Sequence, residues 1–220
     1  MAMKFNDSDN IYFTSDTHFS HNQDFIYKNR GCNSIEEHDE MLVERWNETV
    51  GIHDIVVHLG DFYFGDVSKV ISHIQRLNGK ILWIMGNHDT TNKIAAIVEK
   101  CKNITALEYA TLIQYKKFNF YCSHYPTLTA NYDDKHFSQH VISLHGHTHQ
   151  AKNYLFVDNP FIYHVGVDSH DCYPVHIETI LADIRNHWNE LEQLHISPTG
   201  VYNKYPEGEE IFESYIHGEE

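Results

Sequence analysis

A chain of 220 residues, 41% hydrophobic and 13% aromatic, holds enough apolar material for one sizeable buried core and is marginal for two. It carries 31 acidic against 16 basic residues, a formal net charge of -15, which argues against general binding to nucleic acid or to an anionic membrane surface. No apolar run approaches the roughly 18 residues of a bilayer span, and the polar start from Met1 to Asn10 lacks the apolar stretch of a signal peptide, so the chain reads as soluble and cytoplasmic.

In chain order, Ile11–Ser15 reads as the first strand. A helix over Ser34–Val50 follows, capped by Ser34 and with Glu36 and Glu37 in its first turn. Then come a strand at Asp54–Leu59, a helix at Asp66–Leu77, a strand at Lys80–Met85 and a helix at Thr91–Lys100. Six further strands are expected at Ile104–Leu107, Ala110–Tyr115, Phe118–Cys122, Val141–Leu144, Asn153–Val157 and Phe161–Val165, and a closing helix at His176–Leu194. The β-α-β-α-β order of the first half predicts parallel pairing, whereas the strand-rich second half reads as hairpin-like. Residues 1–196 are taken as one domain. Residues 197–220, with Pro198, Gly200, Pro206, Gly208 and many glutamates, read as an acidic tail, extended or docked through Ile211, Phe212, Tyr215 and Ile216. Cys32, Cys101, Cys122 and Cys172 form no CxxC pair and read as reduced thiols rather than a structural zinc knot.

The chemistry is carried by 19 histidines, spread along the chain rather than clustered at one end, and by a pattern that recurs five times. An apolar strand stops abruptly at a side chain able to ligate a metal. Ile11–Ser15 runs into Asp16 and His18, and Ile55–Gly60 into Asp61. Ile81–Gly86 runs into Asn87, His88 and Asp89, Phe118–Ser123 into His124, and Val141–Leu144 into His145, Gly146, His147 and His149. In open α/β sheets ligands bind beyond the carboxyl ends of strands, so five such ends on one rim converge on one site. Gly60, Gly86 and Gly146 each precede a candidate ligand, where a sharp turn or a close backbone approach is needed. The mixed oxygen and nitrogen donors suit manganese, iron or zinc better than magnesium or calcium alone.

Taken in order, Asp16-x-His18, Gly60-Asp61, Gly86-Asn87-His88-Asp89, the lone His124 and Gly146-His147-x-His149 resemble the calcineurin-like metallophosphoesterases. Each motif alone is weak; all five in order, each closing a strand, are specific. The phrases Asp16-Thr17-His18-Phe19-Ser20-His21 and Leu59-Gly60-Asp61-Phe62 are similar to small stand-alone members from bacteria and their viruses. The resemblance covers Ile11 to Asp168 and implies a four-layer α/β/β/α sandwich of two mixed sheets, with a dimetal site at the strand C-terminal ends. It implies that Asp16, His18 and His149 hold one divalent ion, that Asn87, His124 and His147 hold a second, and that Asp61 bridges them. Manganese is the first expectation, with iron, zinc or nickel as alternatives. His88 is then the proton donor to the leaving group of a phosphomonoester or phosphodiester attacked by a metal-bridging hydroxide, and Asp89 orients His88 or a neighbouring ligand.

Beyond that set, His21, Arg30 and His145 are weaker candidates for substrate contact. Arg30 reads more simply as a solvated arginine and His145, just before Gly146 at a strand end, as the donor of a supporting hydrogen bond behind the ligands. Phe62-Tyr63-Phe64 reads as helix packing rather than pocket wall, and the remaining histidines as structural or surface residues. Two other functions compete. A fold of this family can serve as a non-catalytic scaffold, as in the retromer complex, but the intact ligand set and proton donor favour an enzyme. A nuclease is disfavoured because no basic strip tracks a polyanion. The expected substrate is a small phosphorylated compound; the oligomeric state is left open.

Overall fold

The computed structural model describes residues 2–129 and 137–194. The expected acidic tail lies outside the described residues.

Two sheets form the frame. One runs in the order β11 (Val175–His176), β2 (Ile11–Thr14), β3 (Ile55–His58), β4 (Lys80–Trp83), β5 (Ile104–Ala106). From β2 to β5 it is parallel, as the β-α-β-α-β reading requires, because each crossover carries a helix. The other sheet runs β1 (Met3–Phe5), β6 (Ala110–Tyr115), β7 (Phe118–Ser123), β8 (Val141–His145), β10 (Asn159–His164), β9 (Tyr154–Phe156). Here β6–β7 and β9–β10 are the expected hairpins. The β7–β8 and β8–β10 pairs are parallel, so the second half is less hairpin-like than its sequence suggests.

The strands are amphipathic in the manner that two stacked sheets demand. Phe13, Val57 and Leu82 face Phe120, Ile142 and Leu144 across the sandwich, all buried in one core cluster. The rings of Phe13 and Phe120 sit 6.3 Å apart between centroids, one from each sheet. On the opposite face of the parallel sheet, Val56, Ile81 and Trp83 pack in a second cluster with Leu42, Trp46, Val70, Ile74, Ile94 and Ile97. Those last six come from the helices α2 (Ile35–Thr49), α3 (Val67–Ile74) and α4 (Thr91–Lys100). Ser34 caps α2 by accepting from the Glu37 amide, as its sequence position predicts. The last helix, α5 (Ile177–Gln193), buries Ile177, Ile180 and Ile184 against β2, β10 and β11, where the two sheets meet.

Among the described strands and α-helices, three escape the sequence pattern: β1, β11 and a one-turn helix α1 (Asp24–Tyr27). With two to four residues each, none is long enough to display a hydrophobic period. Cys32, Cys101, Cys122 and Cys172 are buried free thiols, and no described helix is long and apolar enough to cross a membrane.

The inter-sheet core makes a direct claim on stability. Phe120→Ala is expected to cost about 3–5 kcal/mol in chemical denaturation, because it removes a fully buried ring from between the sheets. Truncating the exposed Ile52 is expected to shift stability by no more than about 0.5 kcal/mol.

Candidate metal centre

The parallel strands β2, β3 and β4 end side by side and deliver Asp16 and His18, Asp61, and Asn87 with His88. In the other sheet β7 and β8 end together and deliver His124, His147 and His149. The two rims are laced to one another. Ser15 pairs with Gly166 beyond β10, and the His147 amide donates to Asp16 Oδ2 at 2.9 Å.

Glycine makes this closeness possible. A Cβ on Gly86 would stand 2.2 Å from Asp61 Oδ1, and one on Gly146 would stand 2.3 Å from Asp16 Oδ2. Gly60 combines a left-handed φ of +95° with a Cβ position 2.6 Å from the Gly86 backbone. The ligand residues themselves are bent the same way: Asp16, His18, Asp61, His147 and His149 all have φ between 47° and 66°. Side chains with a Cβ rarely adopt that region, and such residues gather at functional sites.

Two overlapping donor clusters result. Asp16, His18 and His149 bring their ligand atoms within 4.8 Å of one another, as do Asp16, Asp61 and His124. Asp61 Oδ2 is the hub, 3.4 Å from His124 Nε2 and 3.8 Å from both His18 Nε2 and His88 Nε2. His18 Nε2 and His149 Nε2 face each other at 3.2 Å, and Asn87 Oδ1 lies 2.8 Å from His124 Nε2. His147 belongs to neither cluster and stands on the rim, its ring 5.1 Å from that of His124 and 4.6 Å from that of Tyr125.

Ring orientation suits a cation. His124 Nδ1 lies 2.8 Å from the Leu59 carbonyl, which anchors the ring from behind and points Nε2 at Asp61 and Asn87. His149 Nδ1 lies 2.8 Å from Asp168 Oδ2, which anchors that ring in the same way. Burial pushes the His18 pKa down to about 2, which keeps that ring neutral. Asp61 feels burial in the opposite direction, but His124 and the His88 amide outweigh it and bring its pKa to about 2. Asp16 is fully enclosed and burial raises its pKa. Two carboxylates this close ionise together most readily with cationic charge between them. The donors, carboxylate oxygen and imidazole nitrogen, fit divalent transition metals.

A profile of the calcineurin-like phosphoesterase superfamily domain matches residues 10–159. The chain belongs to this superfamily. Over 152 residues it is 31% identical to uncharacterized protein MJ1445 of Methanocaldococcus jannaschii, covering 67% of this chain and 75% of that one. It is 28% identical over 204 residues to the Gene 66 protein of Mycobacterium phage D29, covering 84% and 98%. Its fold matches the crystal structure of a protein of unknown function, AQ665 from Aquifex aeolicus, with a TM-score of 0.60 at 22% identity, covering 80% and 99%.

Around this candidate centre the weaker sequence candidates take unexpected places. Arg30 is not a solvated arginine: its side chain is 3% exposed and all five N–H donors are taken within the protein. His145 is fully buried with Nδ1 2.8 Å from the Gly146 carbonyl, so it braces the ligand turn and does not reach the mouth. His21 lies 3.4 Å from His18, Nδ1 to Nδ1, and stacks on Phe64 at 4.2 Å. Asp89 makes no described hydrogen bond to the His88 ring. Its carboxylate accepts from the amides of Asp61, Phe62 and Gly86 and from the Trp83 indole, tying β3 and β4 turns together. Burial lifts its pKa to about 6 against those four donors. Phe62 and Tyr63 pack inside as expected, but Phe64 is 42% exposed and sets its ring 5.4 Å from His88.

Asp168 was not singled out in the sequence, although its signal was present. The strand ending at His164 runs through Val165 and Gly166 to an acid, the same signature as the other five strand ends.

The crowding at Gly86 gives a test of the geometry. Gly86→Ala is expected to displace the Asp61 carboxylate and lower the metal content of purified protein well below that of the unaltered chain. Elemental analysis beside a thermal melt checks this; full metal content in the variant would show that the close approach is not needed.

Proposed function

We propose that this chain hydrolyses a phosphate ester of a small molecule, with Asp16, His18 and His149 holding one divalent ion and Asn87, His124 and His147 a second on either side of Asp61. One observation carries this reading: Asp61 Oδ2 stands within 3.4–3.8 Å of imidazoles from both ligand sets and of His88. Family membership supports phosphoester hydrolysis in general; the roles of single residues rest on this geometry. Two divalent ions in such a site supply Lewis-acid polarisation of the phosphoryl group and a water acidic enough to attack near neutral pH.

The chain's own residues do the rest. Asp16 and Asp61 contribute two negative charges against four positive, and the imidazoles and Asn87 none, so the loaded site is about two positive within a protein of net charge -15. That focused field draws a single phosphate that the outer surface repels, which favours compact substrates over polyanions. His88 is fixed at its backbone by the Asp61 carboxylate, 2.9 Å from its amide, while its ring stays 41% exposed at the mouth. It is thereby placed to hand a proton to the leaving oxygen. The exposed rings of Phe25, Phe64 and Tyr125 rim the opening. A cavity of about 560 Å³ beside His149, lined in part by Phe25, Asn29 and Arg45, has room for the organic part of the ester.

The test is hydrolysis of bis(p-nitrophenyl) phosphate and p-nitrophenyl phosphate by metal-stripped protein, with and without added Mn²⁺. Turnover is expected only with metal, and the preferred ester distinguishes a diesterase from a monoesterase. Two bound ions without turnover of either ester would favour the scaffold reading. His88→Ala is expected to keep its metal and lose about 10²–10⁴-fold in turnover on an alkyl phosphate ester. The loss on a p-nitrophenyl ester should be smaller, since that leaving group needs little protonation; equal losses would remove His88 from the proton-donor role.

A further inference from the structure

Arg30 and Asp168 are 138 positions apart in sequence and form the most completely satisfied ion pair beside the metal centre. Arg30 Nε donates to Asp168 Oδ1 at 2.8 Å and Nη2 to Asp168 Oδ2 at 3.1 Å, the two-pronged geometry that arginine and a carboxylate make best. The remaining donors reach the Asp16 carbonyl at 2.8 Å, the Thr17 carbonyl at 3.1 Å and His38 Nε2 at 2.9 Å. A buried ion pair is costly unless its remaining hydrogen-bonding capacity is filled, and here the guanidinium has none left over.

These bonds lead chiefly to Asp16, His149 and the loop that carries His18, while Asp16 also receives the His147 amide from the other side. Asp168 Oδ2 holds His149 Nδ1 and so aims Nε2 at His18 and Asp16. Arg30 grips the carbonyls of Asp16 and Thr17 in a loop where Asp16, His18 and Ser20 all take left-handed φ. Through His38 the same chain reaches Asp39, whose carboxylate receives the Ser20 amide at 2.9 Å and closes the loop's far end. No described bond joins Arg30 or Asp168 to Asn87, His124 or His147.

We infer that Arg30 and Asp168 are a positioning pair for the ion held by Asp16, His18 and His149, and set the affinity of that position far more than that of the other. The inference rests on the two-ion reading of the centre. It extends that reading by giving the two positions separate supports, so one can be weakened far more than the other.

Metal-stripped protein is titrated with Mn²⁺ by calorimetry, and occupancy is followed by electron paramagnetic resonance, which separates a coupled pair of ions from a single one. The unaltered chain is expected to bind two. Asp168→Ala and Arg30→Lys are expected to weaken one of them about 10–100-fold and to give a single-ion spectrum at concentrations that fill both sites in the unaltered chain. Asp168→Asn keeps a neutral acceptor for His149 and is expected to fall between. It also decides the question if Asp168→Ala does not fold. Loss of both ions in parallel, or of neither, overturns the positioning role. An unaltered chain that binds no second ion overturns the proposed function instead.

Discussion

Two carboxylates buried side by side govern this structure. Asp16 is fully enclosed and Asp61 is 2% exposed, each at the end of a neighbouring strand, and each raises the cost of charging the other. Negative charge in an interior needs donors or cations, and the chain supplies donors wherever backbone can reach. The His147 amide turns to Asp16 and the His88 amide to Asp61. Those contacts require the turns that carry them to approach almost to touching, which is why glycine stands at positions 60, 86 and 146. Two of the imidazoles, His124 and His149, are anchored by an acceptor behind the ring so that Nε2 faces the acids. Glycines, turns and ring orientations all follow from the need to hold those two acids.

The sandwich explains why the ligands come from two directions. Asp16, His18, Asp61 and Asn87 extend the parallel sheet, and His124, His147 and His149 extend the other. The aromatic and aliphatic core between Phe13 and Phe120 fixes the distance between the rims far more firmly than any loop contact does. Cations held there would join sheet to sheet at the end where the inter-sheet core gives way to polar groups. Binding confined to the folded state adds to its stability, so holding metal and holding the layers together are linked processes.

Much of this was legible in the sequence because its signal is local. A short apolar run, a glycine and then an acid or histidine can be read without knowing what lies opposite, and the parallel first half followed from helices spaced between strands. What stayed hidden is long-range. Nothing near Arg30 announces that its partners are Asp168 and the carbonyls of Asp16 and Thr17, so an exposed arginine was the natural reading. For Asp89 the sequence left two partners open, His88 or a neighbouring ligand, and only the fold shows its carboxylate on the Asp61 and Gly86 amides. Phe64 likewise separates from its two buried neighbours only in the fold. β1 and β11 were missed for a different reason: three and two residues at sheet edges draw their order from a partner strand, not from a pattern of their own.

Of the nine non-glycine residues with left-handed backbone among those described, five carry candidate metal ligands. Glycine or asparagine would relax at each of those five positions, where aspartate and histidine are strained by roughly 1–3 kcal/mol apiece. Random substitution in a lineage that no longer needed the ions would therefore run downhill in backbone energy, trading ligands for glycine and gaining robustness. In this chain the costly residue stands at every one of the five. A descendant living only as a docking platform would be recognisable by the opposite condition, a relaxed and glycine-filled rim on an otherwise unchanged sandwich.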